Sequence, residues 1–381
     1  MTSLATDLAQ LGTDFWEWRD ATSFRTSDDI PRVERPAGWV PRFDPEGIDE
    51  IRQGLAGFTE RWRSFPVDGL EALPVDAQVD HRLLGAALAR VHWELDVLRN
   101  WERDAVFLTS QVLGPWFDLL LAPPPFEATL AASVAALTPF VHRVTARSLA
   151  EAQPAASNAL ERYRGWLEAS ADRLGPDVIV GRDAFVWYLR HVALVSAEPE
   201  ELVRAALQDS GRAVVGETVS RARHRDLPES PLAADAAALV AAEETGEAQV
   251  RAFYEDAGLL SQPASLRRYR FAATPAYLEP VVFLGVTDDL TSIRRLGDDA
   301  TSYVPEPSTD LPYFDAADAR DPRLGIIHEG AHAQQLALSW AHPNPMRRHF
   351  VDSVANEGIA HYNEELMLTA GLFEDAPHSR T

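Results

Sequence analysis

The segment His328-Glu329-Gly330-Ala331-His332 constrains this chain more than any other, because its two histidines can act together only if the backbone there is helical. In an α-helix, residues four apart lie one above the other on the same face. Two imidazoles on one face supply the first two ligands of a tetrahedral zinc. Glu329, one residue round from His328, is displaced from ligation but well placed to touch water on the same ion. A lone pentapeptide of this kind also arises by chance on exposed helices, so its surroundings have to agree with it.

The lengths around it do agree. Leu324, Ile327, Ala331, Leu336 and Leu338 have helical spacing, and the pattern runs to about Trp340. His342-Pro343-Asn344-Pro345 then forces a turn, since proline cannot continue a helix and restricts the residue before it. A second helical pattern is expected from Met346 to Ala370, with Gly371 as its C-terminal stop. The first arm from His332 to the turn is about 14 Å and the return to Glu357 about 16 Å, at 1.5 Å rise per residue. An antiparallel pair therefore brings Glu357 level with His332. His328, His332 and Glu357 are the expected ligands of one Zn2+ per chain, leaving a fourth position for water, as in catalytic rather than structural sites. His361, one turn after Glu357, is the competing ligand and otherwise an outer or substrate contact. Glu364, a further turn on, either orients an imidazole or lies on a solvated face.

Composition narrows the chemistry. The net charge of −23 and the lack of a basic stripe argue against nucleic acid and against anionic membranes. All 35 basic residues are arginine, which removes Schiff-base lysine mechanisms, and there is no cysteine, which removes disulfides, thiolate nucleophiles and Cys-type zinc sites. No apolar run reaches the roughly 18 residues of a membrane helix, and the N-terminus shows no basic start followed by an apolar stretch. A cytoplasmic protein is the expectation.

Along the chain, residues 1–265 read as a helical body. Ile51, Leu55, Phe58 and Trp62 recur at helical spacing, as do Leu84, Leu88, Val91, Leu95 and Leu98. Further helices are expected over 183–195, 199–225 and 233–258. The breakers at Pro123-Pro124-Pro125 and at 226–231 are too short for interdomain linkers. Residues 266–322 read as a small sheet and rim, with β-type runs at Arg268–Phe271 and Tyr277–Leu284 and an irregular, Asp- and Pro-rich lip over 298–322. Residues 323–371 are the zinc helix pair, and the whole reads as one mostly α domain with a small β-element before the zinc helix. An edge strand near Tyr313 and Phe314 could pair with an extended peptide. Tyr303, Tyr313 and Tyr362 are the local candidates for stabilising an oxyanion.

The segments Ile326–Gln335 and Glu357–Glu365 resemble the gluzincin-like bacterial family called domain of unknown function 885, as do Asn100-Trp101-Glu102-Arg103-Asp104, Phe117–Leu120 with Pro123–Phe126, and Asp288-Asp289-Leu290-Thr291. The resemblance covers most of the chain. It implies a helical zinc-peptidase fold with a deep cleft, His328, His332 and Glu357 as ligands and Glu329 as base, but no substrate. Many relatives carry a longer insertion before the second histidine. Relatives also continue past the Glu-bearing helix, whereas ten residues follow Gly371 here. The resemblance therefore sets up the expectation that the C-terminal part of the family fold is absent. That leaves a shortened chain, a second chain that completes the cleft, or a site without ordinary peptidase activity.

The chemistry these residues lead to is hydrolysis of an amide, most simply a peptide, with Glu329 as general base. Two other readings stand beside it: a metal-dependent tailoring enzyme acting on a non-peptide C–N bond of a small molecule, and a non-catalytic half of a two-chain complex.

Overall fold

In the computed structural model, which describes residues 3–24, 42–104, 179–228, 230–276, 293–350 and 352–380 with scattered positions between 107 and 172 and between 278 and 291, the chain is mostly helical. The first helices are α1 (Ser3–Thr22), α2 (Pro45–Arg63), α3 (Val67–Glu71) and α4 (Val75–His92). Asp44 caps α2 by accepting from the Gly47 N–H at 2.8 Å, and Pro45 fills the first helical position, where no donor is needed. The apolar stripe Ile48, Ile51 and Leu55 then packs on Leu84, Leu88 and Val91 of α4 and on Leu11 and Phe15 of α1. Each such side chain contributes about 1.5–3 kcal/mol on burial. The stripe expected to continue to Leu98 widens into a π turn over Trp93–Leu98, which Arg99 ends at φ 52°.

Next come α5 (Asn100–Arg103), α6 (Arg182–His191), α7 (Pro199–His224) and α8 (Ala236–Asp256). The last three match the expected helical spans with shifted ends, α6 starting one residue earlier at Arg182. The chain leaves α6 at His191, four residues before the expected end, and turns through Leu194 at φ 57°. Asp235 starts α8 by accepting from the Ala238 N–H at 2.8 Å.

The sheet departs most from expectation. It has three strands in the order β1 (Tyr269–Ala273), β3 (Ala300–Val304), β2 (Asp288–Asp289), with β1 parallel and β2 antiparallel to β3. The strand expected at Tyr277–Leu284 lies partly outside the described residues, and Leu278, Glu279 and Val282 within it are turn or 3-10 backbone. The expected irregular lip instead supplies the central strand, because Ala300, Tyr303 and Val304 find buried partners that local sequence does not reveal. The segment 123–126 lies outside the described residues.

The chain ends in α9 (Tyr313–Asp318), α10 (Arg323–Trp340), α11 (Pro345–His349) and α12 (Ser353–Ala370). The helix expected to run unbroken from Met346 to Ala370 is two helices. Phe350 turns extended at ψ 121°, and Asp352 begins α12 anew by accepting from the Val354 N–H at 3.0 Å. Gly371 ends α12 at φ 102°, as expected of a C-terminal glycine. A second core, formed by α8, β1, β3, α10 and α12, holds Tyr254, Phe271, Ile326, Ile327 and Met367. Met346 of α11 instead joins the first core, where the Trp16 indole N–H meets its sulfur at 3.2 Å. No helix among the described residues is long and apolar enough to cross a membrane.

Candidate metal centre

Helix α10 carries His328, Glu329 and His332, and its N-terminus is tied down by two aspartates. Asp321 accepts from the Arg323 N–H at 3.2 Å, and Asp318 accepts from the Gly325 N–H. A Cβ at position 325 would lie 2.7 Å from an Asp318 carboxylate oxygen, so any side chain there displaces that carboxylate. Helix α12 packs along α10 through Asn356, Ala360, Asn363 and Met367, whose spacing of four, three and four keeps one face inward. Ala360 is small enough for close approach. The Asn363 amide donates to the Ile327 carbonyl at 2.6 Å and to the Tyr254 hydroxyl at 2.5 Å, which fixes the register of the pair.

That register brings three donor atoms together. Glu357 Oε2 lies 3.4 Å from His328 Nε2 and 3.7 Å from His332 Nε2, and all three atoms lie within 4.8 Å of one another. Tetrahedral zinc with bonds of about 2.0–2.1 Å holds its donors about 3.3–3.4 Å apart. The donor set thus fits a divalent metal after small side-chain adjustments, and the Glu357 side chain, 61% exposed, is free to make them.

The far nitrogens of both histidines face α12. His328 Nδ1 lies 2.5 Å from Glu364 Oε1. This contact is the main reason the His328 pKa is raised. His332 Nδ1 is buried and has no well-aligned partner, as is Asn356 Oδ1, and a side-chain hydrogen bond to Asn356 bears on the imidazole. Burial dominates at His332 and pushes its pKa down, keeping a neutral ring. Outer partners of this kind fix which ring nitrogen is free to ligate. The sequence offers Glu364 for this role through its helical spacing, whereas Asn356, directly before Glu357, carries no such signal.

Glu329 is half-buried beside the donors. Burial, and next the Asp288 carboxylate of β2, push it up to about 7. Asp288 was legible only as part of a motif without a role, and Asp318 and Glu243, which also crowd this region, carried no sequence signal except Glu243's place on the apolar stripe of α8.

The other sequence candidates fall further out. His361 Nε2 lies 3.4 Å from Asp209 Oδ2 of α7 and its Nδ1 lies 3.6 Å from Glu364 Oε2, so it borders the site without facing the donor atoms. Tyr303 is buried in β3 and donates its hydroxyl to the Leu121 carbonyl at 3.0 Å, which commits it to packing. Tyr313 begins α9, exposed, with its ring edge-on to Phe314. Tyr362 is exposed on α12. No described contact brings these three tyrosines to the donor group.

The fold and site together define a mostly α protein with a His-His-Glu donor group on an antiparallel helix pair. No protein-family profile matches the chain, and no curated protein matches it. Among solved structures it is similar to a "putative lipoprotein of unknown function" from Shewanella oneidensis, with a TM-score of 0.62 and 14% identity over 100% of this chain and 80% of that one. At that identity the likeness is one of fold.

Proposed function

We propose that this chain is a metal-dependent hydrolase of an amide bond, most simply a peptide, with His328, His332 and Glu357 holding one divalent metal, zinc by preference. The convergence of their three donor atoms within 4.8 Å, with Glu329 next to His328 in the same helix, carries this reading. When bound, such an ion lowers the pKa of a coordinated water towards about 7 and polarises a carbonyl. Glu329 accepts a proton from the attacking water and delivers it to the leaving amine nitrogen. A raised carboxyl suits both halves of that cycle, and general acid–base catalysis of this kind contributes roughly 10²–10⁴-fold. Glu364 holds the His328 imidazole in the orientation that leaves its Nε2 lone pair free.

The test is metal content by mass spectrometry, beside turnover of a quenched peptide library. Wild type should retain about one zinc per chain, Glu357→Ala should lose it, and Glu329→Gln should keep the metal and lose turnover. Wild type without metal, or full activity in Glu329→Gln, overturns the reading.

A further inference from the structure

Helix α7 has no buried residue along its 26 positions, although Val203, Leu207 and Val214 are apolar and 57%, 68% and 56% exposed. Helices in proteins draw most of their stability from packing an apolar face, and no described residue packs on this one. The body of the molecule holds α7 on a different side. Its half-buried positions Asp209, Glu217, Ser220 and His224 follow at spacings of eight, three and four. On that side Asp209 meets His361 and Arg212 meets Glu365, both of α12.

Glu200, Leu207, Val214 and Arg221 stand at intervals of seven and so form one line along the exposed side of α7. That line lies about a third of a turn round from the half-buried positions, at 3.6 residues per turn. It reads acid, apolar, apolar, base. A parallel copy of the helix would set Glu200 on Glu200 and Arg221 on Arg221. An antiparallel copy, related by a two-fold axis between positions 210 and 211, sets Glu200 on Arg221 and Leu207 on Val214, each pair occurring twice. We infer that α7 pairs antiparallel with the α7 of a second copy of this chain, and that the protein dimerises through this face. Ser210 and Gly211 lie at the axis, and a Cβ at 211 would meet nothing within 4 Å in the single chain. Glycine weakens a helix interior, and here its smallness lets two backbones approach. Glu200 also accepts from Arg182 at 2.8 Å, and a carboxylate has lone pairs enough for both guanidinium groups. The contact runs from 200 to 221, about 32 Å at 1.5 Å rise. One helix pair is a smaller interface than a permanent dimer has, so the association depends on concentration.

Sedimentation equilibrium from about 1 to about 200 µM tests the inference, since mass action moves a weak pair across its midpoint in such a range. Wild type should pass from monomer to dimer. Leu207→Glu should stay monomeric and keep the circular-dichroism spectrum of wild type, because the side chain it replaces is 68% exposed. Adding Val214→Arg faces each new acid with a new base across the axis and should restore the dimer. The chain has no cysteine, so Gly211→Cys should cross-link to its own copy under mild oxidation. Val219→Cys, whose counterpart across the axis is position 202, should not. A monomer at every concentration overturns the inference and gives the face to a different partner. An undiminished dimer in Leu207→Glu, or a double variant that stays monomeric, overturns it as well.

Discussion

Nδ1 of His328 and Oε1 of Glu364 lie 2.5 Å apart, which sets a carboxylate of α12 directly behind the first histidine of α10. Glu364 follows Glu357 by seven residues, two helical turns, so one face of α12 offers a carboxylate to the front of the imidazole pair and another to its back. Removing such an outer partner costs 10–100-fold in metal affinity in comparable sites. Glu364→Ala should therefore weaken zinc binding by about that factor, and Glu364→Gln by less, because the amide oxygen can still accept from Nδ1–H. Competition against a chromophoric chelator measures this. Unchanged affinity in Glu364→Ala would remove Glu364 from the site.

Asn356 acts on the His332 imidazole, although the buried Nδ1 there lacks the direct contact that Glu364 makes with His328. Asn356→Ala removes that polar neighbour from the buried His332 ring, and an affinity loss of about tenfold is expected in the same titration. A variant that binds zinc like wild type would show that His332 is held by packing alone.

Glu243 makes stability depend on pH. Its pKa rises from the ordinary 4.5 to about 9 in the folded chain, first through burial and then through Asp318 and Asp288. Between those values the folded chain holds a proton that the unfolded chain has released. This contribution is therefore fully present below 4.5 and is lost as pH rises through 9. Glu243→Gln should raise the melting temperature at pH 8.5 and converge on wild type near pH 4.5. Parallel curves for the two proteins across that range would contradict the burial argument.

Away from the His-His-Glu donor group, Arg19 of α1 and Glu94 meet at 2.5 Å with both side chains buried, and Arg90 adds a 3.4 Å contact to the same carboxylate. Removing one partner of a buried pair leaves an uncompensated charge and costs about 3–5 kcal/mol. Arg19→Met should lose close to that amount in chemical denaturation, with Arg90 offsetting part of it. A loss under about 1 kcal/mol would mean the pair is solvated.

The contact between Asp318 and Gly325 gives a paired test at the start of α10. Gly325→Ala drives a methyl to 2.7 Å from the carboxylate and should cost about 1–3 kcal/mol. Because the obstacle is the end of a side chain, Asp318→Ala should recover part of that loss in the double variant. A purely additive double-mutant cycle would place the strain in the backbone instead.

Much of the helical body was legible in the sequence, because each helix repeats its apolar residues at the helical period and signals its ends with Asp44, Asp235 or Gly371. The break between α11 and α12 was not, since the stripe continues across it and Asp352 becomes a cap only when Phe350 turns extended. The central strand was missed for a related reason: Asp- and Pro-rich flanks read as loop, and its pairing partners lie far off in sequence.

What the sequence determined by itself was local: His328 and His332 on one helical face, the reversal at Pro343 and Pro345, and a carboxylate returning at the right height. These follow from rise and periodicity, which need no knowledge of neighbours. Only the tertiary structure decided that Glu357 rather than His361 faces the imidazoles, that Glu364 stands behind His328, and that Asp288 and Asp318 crowd Glu329. Those choices depend on which faces of α8, β2, α9 and α12 are turned towards α10. Packing of side chains distant in sequence sets that rotation, and no periodicity in any one segment encodes it.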